Sequence, residues 1–206
     1  MPYSNSIVLT SSEDRLEKLI NLRLAPSADK AAIDERIWNL FGERWAVMFT
    51  DLAGFSRGVA SFGIVHFLQI IQESQRILIP IIDDHDGILL KTEGDSFLII
   101  FRSVQKAVDC AIAMQQCVNK YSAHLEETEQ IHLCVGIGYG DMLRIGDRDV
   151  YGSEVNVAAK LGEDIAKAGE ILVSNDVAQA LSENRKTTPI SDVPAGTNNA
   201  FKLHYE

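Results

Sequence analysis

The stretch Ile88-Leu-Leu-Lys-Thr-Glu-Gly-Asp-Ser-Phe-Leu-Ile-Ile-Phe101 decides the architecture. Its two apolar runs, Ile88 to Thr92 and Ser96 to Phe101, are separated only by Glu93-Gly94-Asp95. So short a connection, with a glycine inside it, predicts two antiparallel strands joined as a hairpin. Upstream, Trp45-Ala-Val-Met-Phe-Thr50 is a mostly apolar run that ends at Asp51 and predicts a fully buried strand. Between the two, Phe62, Val65, Leu68, Ile71, Ile77 and Leu78 recur at helical spacing and predict a long helix from Ser61 to Ile82. Downstream, Ser103 is placed to cap a helix running to Tyr121, and Ile131 to Gly138 reads as a strand. Gly140, Gly146 and Gly152 punctuate a short ribbon before a helix over 154–166. A strand at Glu170 to Val173, a short helix capped by Ser174 and a last strand within Asn199 to Tyr205 complete the order. Strands and helices in this order predict an α+β fold with a mainly antiparallel sheet covered by helices.

The N-terminal residues read differently. Ser12, Asp14 and Glu17 open a short helix through Leu22, and Pro26 stops it. Ser27 and Asp29 are cap candidates for a second helix, Ala31 to Leu40, closed by Gly42. Residues 1–44 are therefore expected to be a helical extension, with a loose terminus over 1–10, and residues 45–206 a single catalytic-sized domain.

A length of 206 residues and a hydrophobic fraction of 46% are enough for a sizeable core. The net charge of −10 argues against duplex nucleic acid or an anionic membrane as partner, since both need a basic footprint. The longest apolar candidate for a membrane span, Ile64 to Ile82, is interrupted by Gln72-Glu-Ser-Gln-Arg76. Met1 to Leu9 lacks the pattern of a signal peptide. Cys110, Cys117 and Cys134 have neither disulfide nor zinc spacing and read as small buried residues, so a cytoplasmic location is expected.

Two acids stand out. Asp51 follows the buried strand and Asp95 sits at the hairpin tip, so both can converge at neighbouring strand ends. Mg²⁺ takes hard oxygen ligands, usually one or two carboxylates plus substrate phosphate. The turn from Leu52 through Ala53, Gly54 and Phe55 to Ser56 offers backbone N–H groups that can cradle phosphate. Asp beside Gly is also ordinary turn chemistry, and spacing alone leaves that reading open. No GxxxxGK[ST] segment exists to serve as a P-loop. Asn156 and Lys160, four apart on one helix face, suit a sugar oxygen beside a phosphate, although such a pair is also common on solvated helices. Lys91 lies among Leu89, Leu90 and Phe97, a setting in which a lysine usually has a specific partner. Asp149, on the ribbon, reads by itself as a turn acid.

Together these segments resemble the class III adenylate/guanylate cyclase family over about residues 45–180. FTDLAGFSR resembles its first metal motif, GILLKTEGDSFLIIF its second metal strand pair, VGIGYGDMLRIGDRDVYGSEVNVAAKL its dimer ribbon and ribose helix, and GEILVS the strand after them. The resemblance implies a ferredoxin-like, palm-type sheet. It implies that Asp51, the Leu52 carbonyl and Asp95 hold two Mg²⁺ (or Mn²⁺) ions per active site. Lys91 and Asp149 would read adenine, Asn156 would orient the ribose and Lys160 would face the α-phosphate of ATP. Metal and base residues come from opposite subunits in this family, so the resemblance implies a homodimer. The chain departs from the pattern in having Lys160 where an arginine is usual, and only Lys202 near the place of a further phosphate-binding lysine. Those departures keep open a weak or inactive cyclase-homology module that binds nucleotide or dimerises. Glu93-Gly-Asp-Ser-Phe97 also resembles, loosely, the signature of diguanylate cyclases, but the Asn156 helix and Lys91 fit class III better.

Overall fold

Period-two alternation along one strand organises the molecule. In the computed structural model, residues 11–53, 63–182 and 185–205 are described, apart from the side chain of Glu127. The expected loose terminus and the predicted phosphate-cradle residues Gly54, Phe55 and Ser56 lie outside them. Strand β1 spans Gly42–Leu52, longer than the buried run implies, because its polar start pairs with a long partner strand. Its residues Ala46, Met48 and Leu52 enter one apolar cluster, while Trp45, Val47 and Phe49 enter another on the opposite face.

The predicted hairpin forms as β2, Ile88–Glu93, and β3, Ser96–Phe101. It is followed by β4, Leu133–Ile145, β5, Asp149–Tyr151, β6, Ile171–Ser174, β7, Thr187–Pro189, and β8, Ala200–Leu203. The sheet order is β2-β3-β1-β4-β6-β8-β7, with β5 pairing β4. All pairings are antiparallel except β4 with β6. The single parallel step is the one that crosses over through the ribbon and its helix. β4 is far longer than the apolar segment 131–138 because Gly140 to Leu143 continue the ladder opposite Trp45 to Gly42. Strand β7 carries no apolar alternation, and sequence reading missed it.

One sheet face is covered by α3, Ile64–Asp84, and α4, Val104–Ser122. Helix α3 buries Phe67, Ile70, Leu78 and Ile82 against Met48, Ile99 and Phe101. Of the stripe anticipated from sequence, Leu78 is buried and Ile71 and Ile77 pack partly on the core, Val65 and Leu68 are 77% and 55% exposed, and Phe62 lies outside the described residues. The opposite face is covered mainly by α5, Ser153–Ala159, through Val155 and Ala158. The N-terminal helices α1, Ser12–Arg23, and α2, Lys30–Phe41, pack Leu19, Ile37 and Phe41 on Ile145 of β4. Ser11 and Asp29 cap them, rather than Ser12 or Ser27. Ser174 precedes α6, Asn175–Ala180, but its side chain makes no capping bond. The three cysteines are free, and burial pushes the Cys110 thiol up to about 12. No described helix is long and apolar enough to cross a membrane.

The predicted helix over 154–166 is not one α-helix. It changes at Lys160 into a π-helical turn, Lys160–Ile165. Its backbone lies against β4 and β1 so closely that a Cβ on Gly136 would fall 2.2 Å from the Ala158 carbonyl, and one on Gly162 would fall 2.8 Å from that of Phe49. Both obstacles are backbone atoms, which cannot swing aside. Gly136→Ala should therefore lower stability by about 2 kcal/mol, read as a drop in thermal or urea midpoint. An unchanged midpoint would show that the helix has room to lift.

Candidate active site

Pairing register builds the acidic end of the site. Thr50 of β1 pairs Phe97 of β3, and the Thr50 hydroxyl accepts the Phe97 N–H at 3.2 Å. The next residue, Asp51, is thereby set beside Ser96 and the β2–β3 turn that carries Asp95. Ser96 Oγ donates to Asp51 Oδ1 at 3.3 Å. Asp51 is half-buried, inside the strand rather than after it. Burial and then the Asp95 charge push its carboxyl up to about 6, against the Leu52 N–H and Ser96 bonds that favour its anion; Glu163 adds to the rise. Asp51 and Asp95, expected to converge at neighbouring strand ends, are near enough for the charge of one to act on the other.

This donor set fits divalent cations. It offers hard oxygen atoms on a pair of carboxylates whose mutual repulsion a cation would relieve. Among the described residues no group of three or more His, Cys, Asp or Glu side chains is arranged to hold a metal. A two-carboxylate site completed by substrate phosphate needs no third. Ala53 follows in the turn, its N–H bonded to the His132 carbonyl, so it is not among the free donors expected there.

A β-bulge builds the second end. Leu89 pairs Ile99, but Lys91 pairs Leu98, so Leu90 is an extra residue. In an unbroken ladder Lys91 would oppose Phe97 and face the α3/α4 core. The inserted residue turns it instead to the opposite face, where Leu98 and Ile100 lie. There Lys91 Nζ donates to Asp149 Oδ2 at 2.7 Å, and this bond raises the lysine's pKa above its ordinary value. Asp149 is thus a strand residue with a specific partner, not a turn acid. The pair borders a cleft of about 190 Å³ with Phe49, Ser96, Leu98, Val150 and Val155. Glu163 also lines this cleft. Sequence reading did not single it out, although it lies three residues beyond Lys160 and seven beyond Asn156, the spacing of one helix face. Ser96 was legible as the neighbour of Asp95 but was not singled out.

Asn156 and Lys160 share one face at the α5–π junction, where the Lys160 N–H bonds the Asn156 carbonyl. Both side chains are exposed. Within one chain neither bonds to Asp51, Asp95, Lys91 or Asp149 among the described residues. Lys202 is committed elsewhere: its Nζ lies 2.9 Å from Glu170 Oε1.

The family model described as "Adenylate and Guanylate cyclase catalytic domain" matches residues 42–200. The chain belongs to this family. A Rhizobium meliloti protein named "Putative adenylate cyclase 3" is 32% identical over 132 residues, covering 64% of this chain and 22% of that protein. A serine/threonine-protein kinase of Myxococcus xanthus, pkn2, is 29% identical over 139 residues, 68% of this chain and 16% of its own length. The chain thus spans about a fifth of the length of these two relatives. Among solved structures, an adenylate/guanylate cyclase/hydrolase from Silicibacter pomeroyi superposes with a TM-score of 0.66 at 28% identity, over 79% of this chain and 95% of that one. The guanylate cyclase domain of a Catenaria anguillulae protein, solved with GTP, shares the fold at a TM-score of 0.66 and 18% identity, covering 79% and 96%.

The raised Asp51 pKa gives this cyclase domain a pH signature. A carboxyl whose folded pKa exceeds its unfolded value contributes stability at low pH and loses it as pH rises through the folded pKa. Without divalent cations, Asp51→Asn should gain on the wild type by about 1 kcal/mol between about pH 4 and pH 7, after discounting for solvent screening. Urea unfolding at several pH values measures this. A pH-independent difference would mean that neither burial nor the Asp95 charge raises the Asp51 carboxyl in the folded protein.

Proposed function

We propose that the chain converts ATP to 3′,5′-cyclic AMP and pyrophosphate, as a homodimer in the cytoplasm. The observation that carries this reading is that the Asp51–Asp95 end and the Lys91–Asp149 pair lie on one sheet face, the face that α5 leaves partly open. A cleft of about 190 Å³ has room for a base but not for a whole nucleotide. Ribose and triphosphate must then lie against another surface, and the acidic end of a second copy is the complementary one.

In that arrangement Lys91 donates to a ring acceptor of adenine and Asp149 accepts from the exocyclic amine. Val150 and Val155 flank the ring. Asn156 orients the ribose, and Lys160 neutralises charge developing on the α-phosphate. Asp51 and Asp95 of the other copy, with the Leu52 carbonyl, hold Mg²⁺ or Mn²⁺, two ions per site. Those ions would supply activation of the 3′-hydroxyl and charge neutralisation of the triphosphate. Fixing the ribose beside the α-phosphorus lets the 3′-hydroxyl attack in line and expel pyrophosphate. The backbone N–H groups of Gly54, Phe55 and Ser56 are proposed to cradle the phosphates. The three free cysteines suit a reducing compartment.

A second reading, a nucleotide-binding module with little turnover, is favoured by one specific observation. Lys202 is ion-paired with Glu170, and Lys160 lacks the planar fork of an arginine, so the cations for the phosphates are few.

Incubation with each of the four ribonucleoside triphosphates and Mn²⁺, with products identified by mass, separates the readings. Cyclic AMP is expected from ATP, Asp51→Ala should abolish it without loss of fold, and Lys160→Arg should raise the rate. No cyclic product from a folded protein with either metal would contradict the enzymatic reading.

A further inference from the structure

Asp149 is held by more than its lysine. Its Oδ1 accepts from the Val150 N–H at 2.9 Å. Its Oδ2 accepts from Lys91 at 2.7 Å and from the Tyr151 hydroxyl at 3.1 Å. Tyr151 stands two residues along the same strand, so its side chain shares the face of Asp149. It reaches the carboxylate from the far side: Tyr151 lines a second cavity, of about 650 Å³, shared with Glu13, Leu16 and Ile20 of α1, and is absent from the lining of the base cleft. The Lys91–Asp149 pair is the wall common to both. Burial first, and then the bond to Asp149, raise the phenol's pKa, so it remains a donor at neutral pH.

We propose that Tyr151 is a positioning residue that sets base selectivity by fixing the rotation of the Asp149 carboxylate. An ionised carboxylate offers about four lone-pair directions. Three are taken by Val150, Lys91 and Tyr151, which leaves one, on Oδ1, for an incoming donor. Adenine offers a ring acceptor beside an exocyclic amine. Guanine offers an acceptor and a donor at the same two positions with the roles exchanged, O6 in place of the amine and N1–H in place of the ring acceptor. A lysine and an aspartate can therefore serve either base, and which one fits depends on where the remaining acceptor direction points. The inference rests on the proposal that Asp149 reads the base.

Tyr151→Phe removes only the hydroxyl. It should weaken binding of a fluorescent ATP analogue by about threefold to tenfold, the range of one hydrogen bond, while a GTP analogue loses less than about twofold. In turnover the loss should fall on the KM for ATP, with kcat and the thermal midpoint held. Asp149→Asn, measured beside it, separates the possible failures. If Tyr151→Phe matches the wild type while Asp149→Asn loses ATP preference, the role of Tyr151 is overturned and base reading by Asp149 stands. If kcat and the midpoint fall together with the ATP-to-GTP ratio unchanged, Tyr151 is structural and the inference fails. If Asp149→Asn also binds both analogues as the wild type does, or the wild type binds neither, base reading itself fails and the role of Tyr151 falls with it.

Discussion

The register between β1 and β3 is the constraint on which the rest depends. Pairing Thr50 with Phe97, and using the Thr50 hydroxyl to hold the Phe97 N–H, fixes Asp51 beside the turn that carries Asp95. A slip of one residue would send Asp51 to the α3/α4 core and Leu52 to the site. The apolar alternation that prevents this slip is strong: Ala46, Met48 and Leu52 are all buried in one cluster, while Trp45, Val47 and Phe49 belong to the other. Core packing thus specifies the meeting of two carboxylates that, by themselves, repel.

The two ends of the site are made by opposite devices. The acidic end uses an unbroken ladder, whereas the Lys91 end uses a break in one. The extra residue Leu90 turns the lysine out of the core and onto the face shared with Asp149. That face is covered mainly by α5 and the π turn, whose close approach rests on Gly136 and Gly162. The sheet is therefore sealed on one side by α3 and α4 and left partly open on the other, where nucleotide chemistry requires access. The N-terminal helices cover Ile145 at the end of β4 and reach the outer side of the same lysine–aspartate pair, with Glu13 beside Arg148 at 3.1 Å.

Much of this was legible in the sequence because it follows from period and punctuation. The hairpin, the helices α1, α2 and α4, and the convergence of Asp51 with Asp95 come from alternation, caps and one short turn. What was not legible involves two segments at once. The length of β4 depends on its partner, since Gly140 to Leu143 read as part of a separate short ribbon until Gly42 to Trp45 lie opposite. The first turns of the α3 stripe were misread because Val65 and Leu68 are as apolar as Phe67 and Ile70, and only packing chooses between them. The π turn has no period of its own and was not anticipated, and Glu163 was passed over because an acid there reads as ordinary helix surface. Tyr151 was visible as the i+2 neighbour of Asp149, but only side-chain geometry shows its hydroxyl on that carboxylate.

On the proposed reading, few cations among the described residues are available for a triphosphate, since Lys202 is held by Glu170 and Lys160 lacks the planar fork of an arginine. Divalent ions must then carry most of the neutralisation, which makes the carboxylate pair central. Electron paramagnetic resonance of Mn²⁺, titrated with a 3′-deoxy ATP analogue that cannot cyclise, tests this directly. Two protein-dependent Mn²⁺ ions per site are expected in the wild type and none in Asp51→Asn/Asp95→Asn. Equal Mn²⁺ occupancy in the folded double variant would contradict the role given to the two aspartates.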